Sequence, residues 1–542
     1  DMVIPGRFPL VFNRTYDSGD SIFGPFGIGG RHQYDVYFVN SVPANSGGVL
    51  NWYTLILPDL RRATFFSDGS GGFINTNDPA LRGAVATIGS SSIQLRFKDG
   101  RIWTFNGDGR GNTGRLIRQE DRHGNAIDIV HDGQGRIAQI TEAAGRALTF
   151  SYTGVSGSID SITDSIGRTV SYTYSGGRLV SMIDPVGGTT QYAYDAQGRL
   201  TTIRDPRNIT FITNEYDAQG RVARQTSVDG GVWEFHYIPA DAAGLPEAQE
   251  LLSVANSQVS PSSLPQFPPG TLTGTASTLT ATVVTDPRGH ITIYRFNSSG
   301  YLLEQTDALG QTTIIDRANG TNVVDQITDP LSRSRQFTYD GDGNVLTITN
   351  PANQVTTFTY EPPLNQVATV TDALNHVTTF SYDSQGHLTS VTDPTNATTT
   401  LTYNTHGQPL TVTDPLSQTT TFSYDNDGNL VSLTDPLGNT SNRTYDSVSR
   451  LVALTNPNGA TTTFRYDPLN HLTQITDALS GITRFSYDGN GNLLTLTDPN
   501  DHTTTFTYDV MDRVDTRTDP LSRQESYQYD LTNNLTRFTD RK

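Results

Sequence analysis

Along most of this chain apolar and polar positions alternate with a period of two, in short stretches broken at regular places by Gly, Pro, Asp and Asn. Thr461-Thr462-Thr463-Phe464-Arg465-Tyr466 is typical. It is rich in β-branched and aromatic residues, and Thr462, Phe464 and Tyr466 fall on one side of a pleated strand. Such a strand runs into Tyr-Asp-x-x-Gly, as in Tyr424-Asp425-Asn426-Asp427-Gly428, where Asp starts a type I turn and Gly takes the left-handed position. A second strand, such as Leu430-Val431-Ser432-Leu433-Thr434, stops at Asp435-Pro436-Leu437-Gly438, where Pro pre-sets a turn and Asp supplies a side-chain acceptor. The pattern predicts two strands of about 6 residues per unit, each about 20 Å long, joined by two tight turns. One detail leaves two readings open. Leu472 and Ile475 are three residues apart, so they lie on opposite faces of the sheet unless a bulge intervenes.

The unit is an internal repeat. Tyr339, Tyr360, Tyr382, Tyr403, Tyr424, Tyr445, Tyr466, Tyr487, Tyr508 and Tyr529 are spaced by 21 residues, with one interval of 22. Gly343, Gly386, Gly428 and Gly491 mark the turns that follow four of these tyrosines. A second marker keeps the same step at Asp329, Asn350, Asp372, Asp393, Asp414, Asp435, Asn456, Asp477, Asp498, Asp519 and Asp540. Units after Asp329 give about twenty strands, and at about 4.8 Å per strand they build a sheet on the order of 100 Å long. Strand twist forces such a sheet to coil, and unpaired edges favour winding in which successive turns meet. Phe and Tyr at i and i+2, as in Phe380 with Tyr382, Phe422 with Tyr424, Phe485 with Tyr487 and Phe506 with Tyr508, are expected to stack into ladders from unit to unit.

Residues 115–238 repeat the unit more loosely, with Tyr152, Tyr174, Tyr194, Tyr216 and Tyr237 as markers. Residues 239–281 interrupt it with a Pro/Ser-rich loop, Pro261 to Gly270, preceded by a possible short helix at Pro246–Leu252. Regular units fill 282–542, where the chain stops in the middle of one, as a fragment of a longer protein would. Residues 1–114 lack the period and are richer in large apolar residues (Phe8, Leu10, Phe12, Phe23, Phe26, Tyr37, Phe38, Trp52, Trp103). They are read as a separate β domain that caps one end of the array.

Composition narrows the function. Of 542 residues, 35% are hydrophobic and 17% charged, and no apolar run approaches the roughly 20 residues of a membrane helix. Asp1-Met2-Val3 begins no signal peptide. The net charge of −18 opposes nucleic acid and anionic lipid, and the absence of cysteine excludes disulfides and thiol chemistry.

The Y-D-x-x-G-x-L-x-x-[IVL]-T-D-P unit resembles the YD-repeat of RHS proteins, a family that includes bacterial polymorphic toxins, wall-associated proteins, the shell of insecticidal toxin complexes and animal teneurins. Gly6-Arg7-Phe8-Pro9-Leu10-Val11-Phe12-Asn13-Arg14-Thr15-Tyr16-Asp17-Ser18 and Phe23-Gly24-Pro25-Phe26-Gly27-Ile28-Gly29-Gly30 resemble the domain that precedes the repeats in bacterial members. Arg31 stands where that pattern commonly has Trp. The resemblance implies an all-β fold, a long antiparallel meander coiled into a spiral hollow shell. In toxin members that shell encloses a C-terminal effector and ends in a D-P-x-G-L-type segment that helps cleave the chain. No such segment occurs here, so no protease activity is carried over.

Candidate chemistry has plainer explanations. Asp340-Gly341-Asp342-Gly343-Asn344, Asp425-Asn426-Asp427-Gly428-Asn429 and Asp488-Gly489-Asn490-Gly491-Asn492 resemble calcium loops, but Val345, Leu430 and Leu493 stand where an EF-hand needs Gly, and the bidentate Glu is missing. They read as hairpin turns. His376, His387, His406, His471 and His502 read as surface turn residues without zinc spacing. No carboxylate pair is singled out for glycosidase work. The expected protein is a non-enzymatic, bacterial, secreted or surface-exposed shell or scaffold with no cofactor, enclosing or displaying its own C-terminal effector beyond Lys542. An adhesin that binds glycans, or a fibre built by self-association, is the alternative.

Overall fold

Each unit folds as the pair of antiparallel strands its pattern demands, and the pairs join edge to edge into one sheet. The computed structural model of the protein describes residues 2–4, 9–18, 20, 22–39, 52–107, 114–152, 157–243, 248–249, 279–318 and 320–541. Among these, helical backbone is confined to a 3-10 turn at Pro79–Leu81 and to residues 248–249. The rest of the helix expected at Pro246–Leu252, the loop Pro261 to Gly270, and Gly6, Arg7 and Phe8 lie outside the described residues.

The two readings left open for Leu472 and Ile475 are resolved by a bulge. Phe464 stands opposite Ile475 and Tyr466 opposite Leu472, with the register shifting between Arg465 and Tyr466. The shift recurs before Tyr339, Tyr382, Tyr424, Tyr487 and Tyr508. An extra residue in one strand reverses the alternation, so both aliphatic residues of each second strand join Phe and Tyr on one face. Phe therefore pairs with an aliphatic residue, as in Phe422 with Leu433 and Phe485 with Leu496, and the expected Phe–Tyr stacking ladder is not formed. Each such cross-strand pair contributes about 0.2–1 kcal/mol.

The sheet begins in a closed barrel. Eight strands, Tyr37–Val39, Trp52–Ile56, Arg62–Ser67, Gly72–Ile74, Val85–Ile88, Ser92–Arg96, Ile102–Asn106 and Gly114–Glu120, pair in sequence. The last returns to the first through Gly114 with Phe38 and Arg115 with Tyr37. An eight-stranded barrel is just wide enough to be filled by side chains. Phe38, Leu55, Phe65, Ile93, Leu95 and Phe105 fill this one with no exposed area, and Phe38 meets Phe105 edge-on at 4.9 Å. The sheet does not break at the expected boundary of 114, because Gly114–Glu120 pairs onward with Ala126–His131. Nor does the interruption at 239–281 divide it: Val232–Pro239 pairs directly with Leu279–Thr285, so the repeat resumes at Leu279.

Beyond the barrel the sheet winds back over itself. Asn322 Nδ2 donates to the Asn77 carbonyl, Asn125 Nδ2 to that of His406, Arg168 Nη1 to that of Pro468 and Asn490 Nδ2 to the Asp205 carboxylate, at 3.0, 3.1, 3.1 and 2.7 Å. Arg288 and Asp530 close the series at 3.2 Å. The partners are 242 to 300 residues apart and advance together along the chain. That is the signature of a spiral of two stacked windings.

The apolar core is concentrated at the start. One buried cluster runs from Met2 to Leu179, joining the barrel to an N-terminal segment laid across the first winding. There Phe12 meets Phe150 at 5.2 Å, Phe26 meets Tyr172 at 5.1 Å, and the Arg14 guanidinium lies over Tyr172. A small second cluster surrounds Ala281, Val283 and Ile293. After Ile293, Val448 is the one fully buried apolar side chain among the described residues.

Candidate functional site

The site with a built geometry is the wall itself: its two rows of turns, the seam where the windings meet, and its two faces. Both rows of turns use one five-residue loop. In the Thr-Asp-Pro row, Oδ1 of Asp393, Asp414, Asp435, Asp498 and Asp519 accepts the N–H groups two and four residues on, at 2.8–3.0 Å. The residue three positions after Asp is left-handed, whether Asn396, Ser417, Gly438, Asp501 or Ser522. The Tyr-Asp row repeats this with Gly343, Gly386, Gly428 and Gly491 at φ 76–87°. Small or short polar residues are needed there because a Cβ strains the left-handed region. Donated N–H groups hold several of these carboxyls below their ordinary range, Asp519 at about 2 with its Arg523 hydrogen bond as the largest cause.

The marker tyrosines tie unit to unit. The hydroxyls of Tyr339, Tyr382, Tyr466, Tyr487 and Tyr508 donate to the carbonyls of Val324, Val367, Leu451, Leu472 and Leu493, each 15 residues back, at 2.7–3.0 Å. The side chain following the left-handed residue covers the next ring: Arg450 lies over Tyr466, His471 over Tyr487 and His387 over Tyr403. Burial raises the phenol pKa of Tyr424, Tyr466 and Tyr487.

The Asp340, Asp425 and Asp488 loops are the same turns. Asp340 Oδ1 accepts the Asp342 and Asn344 N–H groups, Asp425 Oδ1 that of Asn429, and Asp488 Oδ1 those of Asn490 and Asn492. In all three the other carboxylate oxygen takes the Asn side-chain amide. Among the described residues no group of three His, Asp or Glu side chains converges as metal ligands would. Of the histidines, His376, His406 and His502 are exposed turn residues and His471 is half-buried. His387 departs from the surface reading. Its side chain is 3% exposed, because the first winding covers it.

The seam sets the Thr-Asp-Pro row of the first winding against the Tyr-Asp row of the second. Its polar contacts include Arg168 with Asn470, Arg207 with Asp512 at 2.7 Å, and Arg146 with Ser449. Among the described residues, the Thr-Asp-Pro row of the second winding makes no hydrogen bond to the first winding. There Leu309, Leu331, Leu374, Leu416, Leu437, Leu479 and Leu521 occupy one turn position and are 71–92% exposed. The first winding has His123, Ala144, Ile166, Val186, Arg207 and Arg288 at that position. Sequence reasoning missed this contrast, although the rise in Leu, beside Ala352, Thr395, Asn458 and Asn500 at the same position, was visible in it.

The two faces differ in chemistry. Pair by pair, the face inside the barrel continues as Ile129 with Ile140, Ile162 with Val170, Tyr172 with Met182, Phe337 with Ile348 and Phe464 with Ile475. The N-terminal segment packs on this aromatic and aliphatic face. The opposite face carries hydroxyl pairs such as Thr338 with Thr347, Thr402 with Thr411 and Thr507 with Thr516, each at 2.7 Å.

Parts of this chain match known families and proteins. Residues 175–210, 318–355, 339–373, 362–398, 403–440, 445–482 and 487–524 match the RHS Repeat family, and residues 1–65 match the Domain of unknown function DUF6531. Probable deoxyribonuclease RhsA and probable deoxyribonuclease RhsB of Dickeya dadantii (strain 3937) are each 26% identical over 244 residues, 44% of this chain and 16% of the relative. The chain thus matches about a sixth of the length of these relatives. Among solved structures, TcdB2-TccC3 without its hypervariable C-terminal region aligns over 95% of this chain and 34% of its own, at 12% identity and a TM-score of 0.42. TcdB2-TccC3 aligns over 95% and 35%, with the same identity and TM-score.

Proposed function

This chain is an RHS-repeat protein, and from that premise we propose that residues 1–542 are the wall of a shell or scaffold that encloses or displays a polypeptide effector borne by the same protein. The observation that carries the reading is the single aromatic and aliphatic face. It is turned inward in the barrel, recurs along both windings with polar breaks such as Asn214 with Gln225 and Arg517 with Glu525, and is covered in part by the N-terminal segment. A concave face of half-buried Phe, Tyr and aliphatic residues suits contact with an enclosed chain, whereas the Thr hydroxyl pairs of the other face suit water. The N-terminal segment and barrel act as the cap at one end.

The wall works by confinement and takes no catalytic role in this reading. The deoxyribonuclease named for the relatives is a property of those proteins, of which this chain matches 16%. Export to the cell surface or medium belongs to the same proposal. No helix among the described residues is long and apolar enough to cross a membrane.

Electron microscopy of the purified protein tests the proposal. A curved, hollow wall about two windings deep is expected. A solid particle, or binding to a glycan array by the hydroxyl face, would transfer the assignment to an adhesin.

A further inference from the structure

We propose that the ring stack of His123, His387 and Tyr403 is an acid-sensitive clasp that holds the second winding on the first. His123 stands at the tip of a first-winding turn. Its ring lies on that of His387 at 4.4 Å and 8° from parallel, and His387 lies in turn on Tyr403 at 4.8 Å and 12°. The stack is an aromatic bridge across the seam, and Asn125 reinforces it by donating to the His406 carbonyl at 3.1 Å.

The hydrogen bonds fix His123 as neutral. Arg122 Nε donates to His123 Nε2 at 3.1 Å, so that nitrogen offers its lone pair and the proton sits on Nδ1. Nδ1 is buried without a hydrogen-bond partner, as is Nε2 of His387. His387 turns its Nδ1 to the Asp383 carboxylate at 2.7 Å. A proton taken from solvent by His123 must go to Nε2. There it points at the Arg122 N–H and places a cation on the face of the His387 ring, with no new acceptor beside it.

The charged and titratable groups facing His123 are Asp121 and Arg122 on its own turn, and His387, Asp383, Tyr403 and His406 across the seam. Asp121 and Asp383 favour the proton, but burial, His387 and Arg122 oppose it and hold the pKa of His123 below its ordinary value, burial being the largest cause. A histidine lowered on folding contributes stability that is complete above its unfolded pKa of about 6.5 and is lost as pH falls toward the folded value. Mild acid therefore loosens this point of the seam. His471 supplies an internal control. It stacks on Tyr487 at 4.8 Å within the second winding, with no ring across the seam.

Hydrogen exchange on the full chain at about pH 7.5 and about pH 5.5, corrected for intrinsic rates, tests the clasp. In the native protein, protection of amides 383–408 is expected to fall on acidification, in the direction set by the lowered pKa of His123. His123→Phe keeps a ring in the stack but cannot titrate, and His123→Gln keeps an acceptor for Arg122. Both lose the pH response, while His471→Phe retains it. The proposal fails if the native protein shows no local fall, if either His123 variant shows the same fall, or if His471→Phe abolishes it.

Discussion

The two windings are built from the same unit yet are held by different means. In the first, the inner face as far as Tyr192 is packed against the N-terminal segment, and Thr-Asp-Pro turns such as that of Arg168 meet the second winding. In the second, Phe464 and Tyr466 remain half-buried and the equivalent turns end in open leucines, Leu437 88% and Leu479 92% exposed. The unit therefore specifies a wall one sheet thick that stands on turn hydrogen bonds, cross-strand pairs and tyrosine ties. Whatever covers a face or a rim is added to that wall.

Core substitutions should break the contrast most sharply. Phe105→Ala in the filled barrel is expected to cost about 3–5 kcal/mol, and Phe464→Ala in the open wall about 1–2 kcal/mol. Denaturant unfolding followed by hydrogen exchange separates the two, and equal losses would show that the wall hides a core of its own.

Acid is expected to act next, and first on the thick end. His32 is fully buried and its pKa is lowered to about 4, mainly by desolvation. Its contribution is lost as pH falls from about 6.5 toward 4. Asp393, Asp435 and Asp498, lowered chiefly by hydrogen bonds from the Thr395 hydroxyl, the Asn439 amide and the His502 backbone, keep their contribution until pH falls through their own lower values. A melting profile against pH should step down near pH 5 before a second fall below pH 4.

At the seam, Arg168→Ala removes donors to Pro468 and Asn470 and leaves Asp164, whose side chain has no exposed area, without its ion pair. A loss of about 2–3 kcal/mol is expected, read as faster exchange in 467–471. Tyr466→Phe deletes one hydroxyl tie to Leu451 and should cost about 1 kcal/mol. Leu437→Thr on the open rim should change the melting temperature by an amount equivalent to about 0.5 kcal/mol or less. A larger loss would mean that this rim is covered in solution.

Much of the candidate site was legible because it is local. Each turn is complete within five residues: Asp435 binds the amides of Leu437 and Asn439, and Gly438 is left-handed. Sequence alone was therefore enough to locate the tyrosine, glycine and aspartate markers and the strands between them. Where stacking is expected of the tyrosines, the structure gives them a hydroxyl bond to a carbonyl 15 residues back, which spacing could not reveal. His387 looked like any surface turn residue, because the ring that covers it, His123, lies 264 positions earlier in the chain.

The unit was written in the local pattern: two strands, two Asp-anchored turns and an alternation that separates an aromatic face from a threonine face. The folded chain adds a bulge before each tyrosine that puts Leu472 and Ile475 on the same face, a barrel closed by the eight strands from Tyr37–Val39 to Gly114–Glu120, and a return of the chain over itself after 242 to 300 residues. The reason is one of range. Turn chemistry is settled within four residues, whereas the pitch of a winding is the sum of small strand twists over some twenty strands, which no single residue encodes.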